Sequence, residues 1–143
     1  MTLCATLVGC GGFRESRLNP FNWFGRSEPR ETVEVVAERG DPRPLVETVV
    51  SMAVEPMPGG AIVRARGLAP TQGWWAAELV PVRTEAEGVL IYEFRLLPPV
   101  GRTDVNTPRS REIDVAIFVS DYKLERASEI VVQGATNARA SRR

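Results

Sequence analysis

The side chains that most often carry chemistry are scarce in this sequence. No histidine occurs, which removes the usual general base near neutral pH, the commonest metal ligand and the customary partner of a nucleophilic serine. Cys4 and Cys10 are the only cysteines, so Cys and His together cannot close a four-ligand zinc site, and iron–sulfur and haem ligation lack their ligands too. Carboxylate chemistry remains. Glycoside hydrolysis needs two facing carboxyl groups, and Asp104, Asp114 and Asp121 are the aspartates of the second half of the chain. Nothing in their spacing brings two of them together, and Asp114 falls in an alternating stretch where it reads as solvent-facing. The expectation is a protein that is not an enzyme, with no catalytic residue, no metal and no cofactor; a carboxylate-dependent enzyme is the alternative.

One polar collection stands out. Residues 100–111 gather Arg102, Thr103, Asp104, Asn106, Thr107, Arg109, Ser110 and Arg111, and a connection of that length in a small domain is often functional. The competing and favoured reading is a solvated crossover between two sheets. Trp74 and Trp75 are adjacent, so in a strand they point to opposite faces, one into the core and one outward, where Trp75 becomes a candidate partner-binding platform for sugar or protein.

The 143 residues leave room for one ordinary domain with extensions, and 43% apolar and 25% charged residues are ordinary for a folded, water-soluble domain. Eighteen basic side chains balance eighteen acidic ones; a net charge of zero supplies no field to draw in a polyanion, so no nucleic acid partner is expected. Seventeen of the cations are arginine and one is lysine. They are scattered along the chain rather than gathered in one motif.

The first residues are a short, uncharged, mostly apolar run that leads into Leu7-Val8-Gly9-Cys10, after which polarity changes abruptly at Gly11-Gly12-Phe13-Arg14-Glu15. A cleaved targeting segment ends in this way. Leu7-Val8-Gly9-Cys10 resembles the lipobox of bacterial lipoproteins. That resemblance, which covers these four residues and their position, implies that residues 1–9 are a signal peptide remnant, that Cys10 receives a diacylglyceryl group, and that its freed amine is acylated, palmitate being the expected chain. Gly11 in place of an aspartate implies the outer membrane, with the domain facing the periplasm. Buried acyl methylenes contribute about 0.8 kcal/mol each, so several chains make a stable anchor.

Residues 10–44 carry no sustained period and are punctuated by Gly25, Pro29, Gly40, Pro42 and Pro44, the marks of a tether; a short strand or helical turn is open at Val33, Val35 and Val36. Within it Leu18, Phe21, Trp23 and Phe24 crowd into one short stretch. These aromatics fold back on the domain, sit among lipid headgroups, or dock into a partner, and Phe21, Trp23 and Phe24 are candidate partner-binding residues. The last option makes the protein a subunit of a larger envelope assembly docked through its tether.

From residue 45 the pattern changes to short β-branched and aromatic runs between turn residues. Strands are predicted at 46–55, 61–66, 74–82, 89–97, 113–120 and 129–133, with a turn at 56–60 and a single helical turn near 124–128. The clearest alternation places Leu90, Tyr92, Phe94 and Leu96 on one face. Six strands, or seven with the 33–37 region, predict an all-β, immunoglobulin-like sandwich over residues 45–137, in architecture only, followed by a fraying basic tail at 138–143. The whole reads as a lipid-anchored envelope protein of binding or accessory type, with a protein or glycan partner.

Overall fold

The structure, a computed structural model, describes residues 27–32 and 40–143. Cys10, the aromatics Phe21, Trp23 and Phe24, and the 33–37 segment lie outside the described residues. Eight strands are present among them: β1 (Glu28–Arg30), β2 (Thr48–Met57), β3 (Gly60–Leu68), β4 (Trp75–Val82), β5 (Val89–Leu97), β6 (Glu112–Ser120), β7 (Glu129–Gln133) and β8 (Ala138–Arg142). They form a five-stranded sheet in the order β1-β8-β7-β5-β4 and a three-stranded sheet in the order β2-β3-β6. The chain is thus the two-layer all-β sandwich that the strand spacing predicts. Its likeness to an immunoglobulin domain lies in the stacked layers. β5 and β7 run parallel, because the chain leaves β5, crosses to the other sheet through β6 and the one-turn helix α1 (Asp121–Glu125), and returns as β7.

Alternation along the strands builds the core. Met52 and Val54 from β2, Ala61, Val63 and Ala65 from β3, and Val119 from β6 meet Leu79, Tyr92, Phe94, Leu96, Ile130 and Val132 from the other sheet. Phe94, Leu79, Leu96 and Ile130 are fully buried, each contributing on the order of 1.5–3 kcal/mol. Gly67 permits a close contact inside the core: a Cβ there would come within 2.7 Å of Val46 and 2.8 Å of the Phe94 ring, so β3 carries no side chain where those two residues press against it.

Four local expectations are corrected. The tail at 138–143 is largely β8, a central strand of the five-stranded sheet, paired with β7 on one side and β1 on the other. Its small residues Ala138, Ala140 and Ser141 are buried; the arginines that suggested a solvated tail reach carbonyl or carboxylate partners, Arg139 to Val49 O and Ser27 O, and Arg142 to Glu129. The first long strand runs to Met57, and the turn is the tight Pro58-Gly59, with Met57 opposite Gly60 and Gly59 at φ 85°. Val46, predicted in that strand, instead donates its N–H to Phe94 O at 2.8 Å, while Leu96 N donates to Pro44 O at 3.1 Å. The predicted tether therefore includes β1 at one sheet edge and, at residues 43–44, the start of a segment folded onto β5.

Candidate functional site

Two surfaces gather the exposed functional side chains, and each follows from how the strands are registered. On β3, Ala61, Val63 and Ala65 point inward, so Ile62, Arg64 and Arg66 point out. Register with the flanking strands sets Arg64 between Ala53 and Ala116, and Arg66 between Ser51 and Asp114. Small neighbours on both sides leave a shallow trough of about 550 Å³ on the outer face of the three-stranded sheet, lined by Ser51, Ala53, Arg64, Arg66, Asp114 and Ala116. At its apolar end lies Phe118, 52% exposed; it reaches toward Gly60, where a Cβ would come within 2.9 Å of its ring.

Both guanidinium groups in the trough are paired. Arg64 Nε donates to Glu55 Oε2 at 2.8 Å. Arg66 grips Asp114 as a fork, Nε to Oδ1 at 2.7 Å and Nη2 to Oδ2 at 3.0 Å, with Glu112 3.8 Å from Nη1. The fork hydrogen bonds hold the Asp114 carboxyl below the usual carboxylate range, with the charges of Arg66 and Arg64 adding to the effect, and the same contacts raise Arg66. Near neutral pH the trough therefore presents fixed, flat guanidinium groups beside small residues. Such groups stack on planar ligands and donate to carboxylates or hydroxyls, which is the chemistry of recognition.

The second surface is the pole formed by Trp75 and the connection between β5 and β6. Trp75 is 54% exposed, with Nε1 donating to Pro98 O at 3.0 Å, whereas Trp74 is half-buried against the core and donates to Thr71 Oγ1. The strand is irregular between Trp75 and Glu78, and Ala76 takes φ 48°. The long connection does cross between the sheets, ending in a 3-10 turn, Pro108–Arg111. It is zipped to the β3–β4 loop: Ala69 N to Arg111 O at 3.1 Å, Arg111 Nη1 to Ala69 O at 2.7 Å, Thr103 Oγ1 to Gln72 O at 2.7 Å, and Gln72 N to Asp104 O at 3.0 Å. Arg111 is thereby a structural staple. Arg102, Asp104, Asn106 and Arg109 are exposed, as are Val100 and Val105.

The three aspartates singled out as carboxylate candidates sit on three elements, Asp104 in the connection, Asp114 on β6 and Asp121 at the start of α1; Asp114 meets an arginine. Among the described residues no group of three or more His, Cys, Asp or Glu is placed to hold a metal, and no helix is long and apolar enough to cross a membrane. The trough went unrecognised in the sequence, although the alternation of Ala61, Val63 and Ala65 with Arg64 and Arg66 along the strand at 61–66 is the signal that places the two arginines outward. What makes it a trough is the small residues facing them from other strands. No family model, curated protein or solved structure matches the chain.

Proposed function

We propose that this chain is a lipid-anchored envelope protein of non-enzymatic binding type, held to the outer membrane through Cys10 and presenting its sandwich to a protein or glycan partner in the periplasm. The observation that carries the anchoring is Leu7-Val8-Gly9-Cys10 followed at once by a polar segment. The binding reading is supported by the exposed Trp75 indole and by the trough with its paired Arg64 and Arg66 and the neighbouring Phe118. An exposed aromatic beside apolar residues and oriented guanidinium groups is the usual composition of a contact surface.

The experiment is mass spectrometry of the N-terminal peptide from the membrane fraction, alongside cell fractionation of Cys10→Ser. The expected result is a chain that begins at a triacylated Cys10, and a variant released from the membrane. A chain retaining residues 1–9 with a free thiol at Cys10 overturns the reading. Affinity capture with the lipid retained then tests the surfaces: Trp75→Ala or Arg66→Ala should reduce recovery of the partner several-fold with the fold intact.

A further inference from the structure

Sheet edges are where strands recruit other strands, and proteins blunt them with short strands, prolines, bulges or a cover. Three of the four edges of this sandwich are blunted. β1 has only three residues and contains Pro29. β2 shifts register between Val49 and Ser51, and there the Asn137 side chain occupies the edge, accepting from Val49 N at 2.7 Å and donating to Val49 O at 2.9 Å. Further along, β2 contains Pro56, which has no N–H. β4 shifts register between Trp75 and Glu78 and contains Pro81.

The remaining edge is β6. It pairs with β3 over all nine residues without a shift, and no strand among the described residues hydrogen-bonds to its other side, although β4 of the other sheet packs against β6. Its sequence, Glu112-Ile113-Asp114-Val115-Ala116-Ile117-Phe118-Val119-Ser120, has no proline or lysine and is rich in strand-forming residues. Its two carboxylates both turn to Arg66 on β3. Ile113, Val115 and Ile117 face the core yet are only partly buried, so apolar surface remains where the sheet stops.

We infer that β6 pairs with β6 of a second copy, antiparallel about a two-fold axis at Ala116, and joins the two three-stranded sheets into one of six. The register is self-complementary. With Ala116 opposite itself, Val115 faces Ile117, Ile113 faces Val119, Asp114 faces Phe118 and Glu112 faces Ser120. Aliphatic residues meet on the inner face, and no like charges stand directly opposite each other. A net charge of zero adds no long-range repulsion between copies. The pairing also sets the two troughs side by side, since Ala116 lines each of them. The inference stands whether or not Cys10 is lipidated.

The test uses the full chain with Cys4→Ser and Cys10→Ser, which removes both native thiols and any lipid. Sedimentation equilibrium at about 50 µM should give a dimer. Ala116→Glu sets two carboxylates against each other on the axis, while within one chain it lies beside Arg64; it should weaken association by about fivefold or more. Ala116→Cys should oxidise to a single cross-linked dimer, because directly opposed antiparallel residues lie at about 4.5–5.5 Å between Cα atoms, within disulfide range. A monomer at about 100 µM overturns the inference, and so does an unchanged dissociation constant for Ala116→Glu or the absence of the cross-link for Ala116→Cys.

Discussion

The two sheets of this sandwich treat their outer faces in opposite ways. On the three-stranded sheet the outer face is open: Arg64, Arg66, Asp114, Ala116 and Phe118 are exposed, and its ion pairs sit in water, where such pairs contribute little. On the five-stranded sheet Ile91, Val131, Ala138 and Ala140 form a second apolar cluster on the face away from the core, and Val131 is completely buried. Ionic groups border that cluster: Glu129 with Arg30 and Arg142 at one side, Glu93 with Arg95 at the other, and Arg43 linking Asp41 to Glu78. The difference teaches that the five-stranded layer buries apolar residues on both of its faces, whereas the three-stranded layer buries one face and presents side chains on the other.

The strongest way to break this comparison is to place the same charge on each outer face. Val131→Glu buries a carboxylate among alanines and aliphatic residues and should destabilise the protein by about 3–5 kcal/mol or prevent folding. Ala116→Glu, at chain concentrations low enough to keep association out of the measurement, should change stability by no more than about 0.5 kcal/mol. Chemical denaturation of both variants checks this, and equal losses would mean that the faces are not different.

A smaller effect is expected at the seam between the sheets. Asn137→Ala leaves the Val49 N–H without its acceptor and the Val49 C=O with Arg139 alone of its two side-chain donors, at a cost of about 1–3 kcal/mol. Hydrogen exchange should then rise at Val49 before it rises on β5 or β7. Protection lost equally across the five-stranded sheet would place Asn137 inside its cooperative unit instead.

The smallest effect sharpens the ionic border. Hydrogen bonds from the Arg43 guanidinium and backbone hold the Asp41 carboxyl down at about 2, against 3.8 when free. A depressed carboxylate stabilises the fold at every pH above the unfolded value, and that contribution fades as pH falls through the folded one. The stability difference between Asp41→Asn and the parent should therefore be constant above about pH 5 and fade progressively from there to about pH 1. A difference that persists undiminished down to about pH 1 would assign the effect to packing rather than charge.

Much of the architecture was legible because alternation is a local property. β5 and β7 begin and end where the residue pattern says, at Val89–Leu97 and Glu129–Gln133, and one Trp of the adjacent pair is exposed while the other packs inward. β8 was illegible for an equally local reason: Ala-Arg-Ala-Ser-Arg has no hydrophobic alternation, and its burial follows from its place between β7 and β1. The alternation on β5 placed Tyr92, Phe94 and Leu96 in the core but gave no sign that Ile91, on the opposite face, is buried among residues from other strands.

The amino-acid order alone determined the two-sheet class, the spacing of the long strands and the shortage of proton-transfer and metal-binding side chains, because backbone period and side-chain chemistry travel with each residue. Register and sheet order were decided only in three dimensions. They turned two arginines of one strand into the walls of a trough, made a polar tail into an interior strand, and left β6 hydrogen-bonded on one side alone among the described residues, since each of these depends on which residues other strands bring alongside.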